Sequence, residues 1–502
     1  MEKSKKIQLN FLTGVLSEIL TLAFGVLMPR LTLTNYGSEI NGLVTSVTQI
    51  YAYVALTEAG VGGATLQALY NTVGHDDKDG TNSILAATNH FYRRTGIAYL
   101  AAIILFSVFY PVFVESEVST LTTVLVIVFL GLGNVISYFF QAKYSLFLQA
   151  DGKNYTITTL NMITNIFKNV GKLVLMLLGV NVIFVQLLGT IASLIQMIVI
   201  LAYIRRNYAW INVSAKPNFV AISQSKNVLI HQMSGLIFNN TDILLLTIFF
   251  GLKLVSVYSL YAMIFTTLAT FAGLFVSSVK FSFGQRYHID RDAFVRDYDS
   301  IETIFWGIIF CFVTVATIFV LPFLRVYTAG VEDINYIDKY LPFMFAANTL
   351  LNNIRTVANN TINIAGHFKQ TQWRSIFESV INLTVSLVLV RRLGIYGVLL
   401  GTTAAMLYRT NDMLIYTNHH ILNRSAWRSY RRLFADIALF VVIVVLSKQL
   451  TWEMNGYIDM ILYAIPCTLV CGGLYLGVAY LVDRESIKYL VRYIRTKLLT
   501  RG

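Results

Sequence analysis

The chain has 502 residues, 56% hydrophobic and 13% charged, with a mean hydropathy of +0.62 and a formal net charge of +13. Soluble domains carry roughly a quarter charged residues, so this composition excludes a soluble globular protein and marks an all-α polytopic membrane protein. The positive charge does not mark a nucleic-acid binder, because it gathers in loops on one side of the apolar spans.

About fourteen spans run in succession, near 7–33, 40–70, 83–113, 120–149, 155–179, 182–204, 218–250, 253–281, 299–327, 335–363, 371–391, 396–420, 432–450 and 457–482. The opening MEKSKKIQLN leads into a span too long for a signal peptide and without a cleavage site, so it reads as the first membrane helix. The clusters Arg205-Arg206, Arg286 to Arg296, Arg424 to Arg432 and Arg484 to Arg501 all fall on the side of the N-terminus. The positive-inside rule then places both termini in the cytoplasm, and the same clusters suit anionic inner-leaflet lipids as partners. Cys311, Cys467 and Cys471 sit within spans at no ligand spacing and read as inert core residues.

The first two spans carry Glu18, the Pro29-Arg30 pair, Glu58 and a GVGG break. A charge at bilayer depth costs a few kcal/mol even on the gentlest insertion scale, so it faces a partner or a watery cavity. Pro29 is read as ending the first helix, with Arg30 either snorkelling to the outer interface or facing the pathway. Glu58 precedes Ala59-Gly60-Val61-Gly62-Gly63, where missing side chains permit a kink or close packing. No strand precedes this run and no Lys-Ser/Thr follows it, which excludes a phosphate-binding glycine loop.

Polar stripes recur farther along. In the fifth span Asn161, Asn165, Lys168 and Lys172 share one helical face. The fourth carries Asn134, Tyr138, Gln141, Ser145 and Gln149, the tenth Asn348, Asn352, Arg355, Asn359 and Asn363, and the eleventh Ser375, Ser379, Asn382 and Ser386. Lipid cannot satisfy such groups, so they face other helices or water. For the amides, interhelical hydrogen bonds worth about 0.6 kcal/mol each compete with the lining of a hydrated cavity. For Lys168, Lys172 and Arg355 the cavity reading is the stronger, because carboxylates are scarce on their own helices. In the seventh span His231 is a proton-coupling candidate, and Asp242, after Asn239 and Asn240, is a candidate partner for a cation. Arg409 and Asp412, three apart, are expected to pair with each other.

An internal repeat organises these features. Gly37 in TNYGSEINGLV and Gly251 in TIFFGLKLVSVY lie 214 residues apart, as do Gly152 in QADGKNYTITTL and Gly366 in NIAGHFKQTQW. LLGTIAS and LLGTTAA follow after a small shift. Two six-span halves, about 1–210 and 215–425, are therefore expected to precede a terminal helix pair with a basic tail, 426–502. An even number of spans per half makes the repeat parallel and puts the substrate at the interface between halves. Glu18 matches Gln232 at the same offset. Glycines at 60–63 and 131–133 offer flexure points.

Enzyme chemistry is not written in the chain. HExxH, GxSxG, Walker and cysteine–histidine motifs are missing from the sequence. Asp76-Asp77-Lys78-Asp79 sits in a short loop with no nucleotide fold around it, which argues against a glycosyltransferase. A membrane-embedded polymerase would further require a sizeable extramembrane loop with catalytic carboxylates.

The stretch MPRLTLTNYGSEINGLVTSVTQIYAYVALTEAGVGGATLQALY resembles the beginning of Wzx-type bacterial polysaccharide flippases, of the multidrug/oligosaccharidyl-lipid/polysaccharide superfamily. NIAGHFKQTQWRSIFESVINLTVSLVLVRRLGIYGVLLGT is similar to the second-half counterpart, and with the repeat the resemblance covers residues 7–425. It implies two six-helix lobes around a central cavity and alternating access. It also implies transport of a polyprenyl-diphosphate-linked glycan from the inner to the outer leaflet of a bacterial plasma membrane, for capsule or exopolysaccharide. Polysaccharide polymerases and other assembly proteins are the partners it implies. Relatives that flip the peptidoglycan precursor hold the diphosphate with cavity arginines, and Arg30 is the nearest positional match.

The expected substrate site thus comprises Arg30, Lys168, Lys172, Arg355, Asn161, Asn165, Asn352, Asn359, Gln141 and Asn382. Glu18, Glu58, His231 and Asp242 are the coupling or gating candidates, with Na+ or H+ as the coupling ion and no cofactor or metal. The competing function is an ion-coupled small-molecule exporter of the same superfamily, which predicts an aromatic, carboxylate-dominated cavity.

Overall fold

The computed structural model describes residues 3–58, 61–223, 226–449, 454 and 456–499, and among them there is no strand. The first helices are α1 (Lys3–Val54), α2 (Val61–Gly74) and α3 (Lys78–Phe113), followed by α4 (Thr120–Ile136) and α5 (Ala142–Ala150). A π turn at Ser137–Gln141 joins α4 to α5. Then come α6 (Asn154–Leu177) and α7 (Val182–Asn207). The second set is α8 (Lys226–Ile289), α9 (Arg291–Tyr327), α10 (Leu341–Ile354), α11 (Thr356–Ile364), α12 (Phe368–Leu393) and α13 (Ile395–Tyr416). The last three are α14 (Trp427–Ser447), α15 (Tyr457–Val482) and α16 (Arg484–Leu499). Seven helical segments among the described residues are long and apolar enough to cross a membrane by length and composition. Most of each span read from the sequence falls on helix: the second runs from α1 through the 3-10 turn at Ala55–Glu58 into α2, α8 holds most of the seventh and all of the eighth, and residues 218–223 and 335–340 precede their helices.

The repeat is visible in backbone conformation. Gly37 (φ 81°) breaks α1 and Gly251 (φ 76°) breaks α8. Gly152 (φ 71°) and Gly366 (φ 72°) form the turns that open α6 and α12. All four glycines hold a left-handed or mirror-β conformation that a side chain would strain. The corresponding long helices α3 and α9 are each capped by an aspartate: Asp77 accepts from the Gly80 N–H and Asp290 from the Ala293 N–H. The π turn ending at Gln141 matches the break between α10 and α11 at Arg355, again 214 residues on.

Pro29 does not end α1. The helix continues to the break at Gly37. Membrane helices tolerate such prolines because hydroxyl side chains and small local adjustments satisfy the freed groups.

Contacts divide the chain into two compact units, residues 1–257 with 331–334, and 258–330 with 335–502. In the first unit the segment of α1 after Gly37 packs tightly on α8. A Cβ on Gly42 would collide with the Leu252 carbonyl, and Asn41 Nδ2 donates to Ser256 Oγ at 2.8 Å. Asp333 caps the restarted helix, accepting from the Ser38 N–H at 2.7 Å. Its core gathers Leu43, Val47, Tyr51, Tyr99 and Val126 from α1, α3 and α4.

In the second unit Trp306 of α9 is fully buried, and its Nε1 donates to the Ile354 carbonyl at 3.1 Å where α10 ends. The terminal helices are tied to α9 by a buried ion cluster. Arg432 of α14 donates to Asp299 at 2.8 Å, to Glu302 at 2.7 Å and to Asp483, while Arg424 forks onto Asp299 at 2.7 and 2.8 Å. Guanidinium–carboxylate contacts with several partners are the form in which buried charge is tolerated.

Candidate substrate site

The polar stripe of α6 faces a cavity within the first unit. Gly152 permits the chain to turn sharply into α6, and α6 then presents Asn161, Lys168 and Lys172 on one side. Asn134, Ser137, Gln141 and Ser145 of α4, the π turn and α5 form a second wall. Gln186, Gly189, Ser193 and Gln196 of α7 form the third. The enclosed space is about 470 Å³, and none of its lining residues is acidic.

Hydrogen bonds fix this wall. Lys172 Nζ donates to Gln186 Oε1 at 2.7 Å, Gln196 Nε2 to Asn161 Oδ1 at 2.6 Å, and Gln141 Nε2 to the Ser193 carbonyl at 3.0 Å. Asn165 accepts from Asn169 Nδ2 at 2.7 Å. Lys168 makes no hydrogen bond or ion pair among the described residues. Two ammonium groups therefore share a polar chamber without a counter-charge in its lining. Such a site attracts an anion and repels a cation.

The lysines are loosely packed against a small residue of α7. A Cβ on Gly189, in LLGTIAS, would lie 3.9 Å from Lys168 Cδ and 4.0 Å from Lys172 Cε, so the lysine stems run across this part of α7. The matching Gly401, in LLGTTAA, serves the opposite purpose in the second unit. A Cβ there would collide with Ser386 Oγ and lie 2.7 Å from the Ser386 nitrogen, and one on Gly397 would lie 2.6 Å from the Leu389 carbonyl carbon. There α12 and α13 meet backbone to backbone. Asn382 is fully buried between them, with Nδ2 donating to Thr402 Oγ1 at 2.9 Å, and Ser386 donates to the Val398 carbonyl at 3.3 Å. The counterparts of the two lysines are thus consumed in helix packing, and Asn382 is not on the lysine-lined cavity.

Charge at the repeat-related positions of the second unit is compensated. Arg355, at the break between α10 and α11, pairs with Glu378 of α12 and donates to Asn352 Oδ1 at 2.8 Å. Arg409 is buried, donating to Asp412 at 2.5 Å and to Ser375 Oγ at 3.2 Å with Glu378 3.6 Å away; Arg374 pairs with Asp412 as well. Arg409 and Asp412 pair as their spacing predicts, inside a larger network. The scarcity of carboxylates expected around Arg355 is corrected by Glu378, which lies on a neighbouring helix. Asn359 is exposed on α11.

The remaining candidates are dispersed. Glu58 ends the short 3-10 turn Ala55–Glu58 and accepts a hydrogen bond from Tyr92 at 2.8 Å. The rings of Tyr92, Tyr138 and Tyr99 follow one another at centroid distances of 5.9 and 5.4 Å, and Tyr99 accepts from Asn134 at 3.3 Å, in the cavity wall. Glu58 is therefore connected to the cavity through tyrosines. Glu18 and Arg30 are half-buried on the first segment of α1. Asp242 is buried on α8 beside Thr241, whose hydroxyl lies 3.1 Å from that of Tyr53. The side chains of His231 and Gln232, together with Ala59, Gly60 and Arg501, lie outside the described residues.

No known protein family and no curated protein matches the sequence. Solved structures do. A structure described as the lipid II flippase MurJ in an inward closed conformation matches at a TM-score of 0.68 and 15% identity, over 94% of this chain and 98% of that one. The MATE multidrug transporter DinF-BH, solved as a complex, matches at 0.59 and 16%, over 83% and 97%. An inward-facing multidrug resistance MATE family transporter of the MOP superfamily matches at 0.56 and 15%, over 78% and 93%. The chain shares the helical fold of these solved transporters.

Within that fold, Gln186, Ser193 and Gln196 are the cavity residues that the sequence reading passed over. Their signal was present: polar residues at i, i+7 and i+10 on an otherwise apolar span, aligned with the face that carries Gly189.

Proposed function

We propose that the protein is a flippase that carries a polyprenyl-diphosphate-linked oligosaccharide from the inner to the outer leaflet of a bacterial plasma membrane by alternating access, supplying cell-surface polysaccharide assembly. The observation that carries this reading is the chamber with two lysines, a wall of amides and no acidic lining residue. Lysine is a point-charge phosphate binder, so Lys168 and Lys172 take the diphosphate. Asn161, Gln141 and Gln196 offer amides to sugar hydroxyls. Glu58, linked to Asn134 through the tyrosines, is the coupling candidate nearest this chemistry. The neighbour described as a lipid II flippase supports the choice of a lipid-linked substrate. A multidrug-type exporter for organic cations fits less well, because the lining has no carboxylate to receive them.

The test is flipping of a fluorescent polyprenyl-diphosphate glycan in proteoliposomes. Each charge-assisted hydrogen bond contributes about 1.5–3 kcal/mol. The Lys168→Gln/Lys172→Gln double variant should therefore lose at least about 100-fold in transport while still inserting and folding. Wild-type transport by that variant would overturn the assignment.

A further inference from the structure

A second pocket lies on the other side of one residue of the cavity wall. It encloses about 310 Å³ between the end of α5, the first turns of α6 and the last turns of α7. Its walls are apolar, formed chiefly by Leu148, Ile157, Leu160, Ile163, Val199 and Ile200. Leu148 and Ile200 are 1% and 2% exposed, so the pocket reaches the core of the first unit, whereas Ile163 (56%) and Val199 (44%) stand open at its mouth. Ile163 is nine residues into α6, about 14 Å along the helix axis at 1.5 Å per residue. In a bilayer whose hydrocarbon begins near the start of α6, that depth falls within the leaflet on the side where α6 starts. Ile157 lines both this pocket and the lysine chamber, so the two adjoin at that residue.

We infer that this groove seats the isoprenoid chain of the transported lipid, its first units lying against Ile157 and Leu160, while the diphosphate occupies the lysine chamber beyond. The inference rests on the proposed function and adds where the tail goes. Three observations converge on this occupant. A mouth at hydrocarbon depth admits a chain from the bilayer and not a water-soluble ligand. The apolar floor rewards burial of a chain at about a tenfold gain in affinity for every two methylenes. The wall shared with a chamber of uncompensated positive charge assigns the chain to a molecule with an anionic head. The substrate is thus read as one amphiphile across two adjoining compartments.

The full-length protein in detergent is titrated with inorganic pyrophosphate, with farnesyl diphosphate and with dihexanoyl phosphatidic acid, in wild type and in the groove-filling variants Ile163→Trp and Val199→Trp. Farnesyl diphosphate should bind wild type at least tenfold more tightly than pyrophosphate, and each variant should reduce that advantage to threefold or less. Pyrophosphate should bind both variants as it binds wild type, which also reports that they fold. An undiminished farnesyl advantage in both variants overturns the groove assignment. An equal gain for dihexanoyl phosphatidic acid, removed by the same substitutions, overturns the isoprenoid assignment in favour of a general lipid site. Failure of pyrophosphate to bind wild type instead refutes the reading of the lysine chamber itself, so the two failures are distinguishable.

Discussion

The paired glycines of the repeat give a contrast that tests the structure and its functional asymmetry together. Gly189 and Gly401 occupy matching places in LLGTIAS and LLGTTAA, so an alanine at either position changes the sequence identically. At Gly189 the new methyl lies 3.9–4.0 Å from two lysine stems, ordinary van der Waals contact with flexible neighbours. Exchange of glycine for alanine in a helix contributes up to about 1 kcal/mol, so Gly189→Ala should be neutral or slightly stabilising. At Gly401 the methyl falls 2.7 Å from a backbone nitrogen and 3.0 Å from the Asn382 carbonyl oxygen, and backbone cannot rotate aside. Overpacking costs about 1–3 kcal/mol where side chains relax. The rigid contact puts Gly401→Ala at the upper end of that range, a net loss of about 2 kcal/mol after the propensity gain. Thermal unfolding in detergent, followed by size-exclusion recovery, should rank Gly189→Ala at or above wild type and Gly401→Ala clearly below. Equal stability of the two variants would refute the claim that one helix pair is closed by backbone contact while the other is held apart by lysines.

Two further outcomes follow from the charged networks. Removing Arg409 leaves Glu378 and Asp412 short of a buried partner, and breaking such a pair costs about 3–5 kcal/mol. Arg409→Leu should therefore destabilise more than Arg355→Gln, which leaves Glu378 beside Arg409 and Asp412 with two arginines; the reverse order in urea or thermal melts would count against the network as drawn. The second outcome concerns Asp483, between α15 and α16 outside the spans. Burial pushes its carboxyl up, but the Arg432 guanidinium, Ser486 and Arg428 outweigh burial and hold it below the ordinary value of 3.8. A depressed folded pKa means stabilisation that is present above the ordinary carboxylate range and lost as pH falls through the folded value. Proteolysis of α16 should stay slow down to about pH 4 and accelerate below it, and Asp483→Asn should be cleaved readily at neutral pH. An Asp483→Asn profile identical to wild type would show that the carboxylate does not anchor the tail.

Much of the architecture was legible because it is local. Twenty-residue apolar stretches and glycines repeated at one offset act within a few turns of helix, and both reappear in the helices, with Gly37, Gly152, Gly251 and Gly366 in conformations that favour glycine. The stripe on α6 was legible for the same reason, since i, i+4, i+7 and i+11 share a face in any α-helix. The partners of the stripes were not. Which of two similar stripes opens a cavity depends on whether the facing helix can approach, and that is decided by Gly397 and Gly401 against Leu389 and Ser386, contacts more distant than any periodicity records. Glu378 illustrates the same limit. It sits on the stripe-bearing α12, yet only the packing of α12 on α13, which in turn packs on α10, brings it to Arg355 and Arg409.

These packings explain why one repeat produces two different electrostatic environments. Positions 375, 379, 382 and 386 of α12 are small or amide residues that fit under α13, so the pair closes and strands no charge. Their counterparts 161, 165, 168 and 172 on α6 include two lysines, whose stems cross α7 at Gly189 without close packing and whose ammonium groups need water or an anion. Closing α6 on α7 would bury both charges at a cost of several kcal/mol each. The lysines therefore act as spacers, and under the proposed function as ligands as well. An anion that neutralises them lowers the cost of dehydrating the chamber, so arrival of a diphosphate would weaken the force holding the first unit's cavity open. This gives substrate charge a direct physical route to conformational change, through desolvation of Lys168 and Lys172 and not through a remote signal.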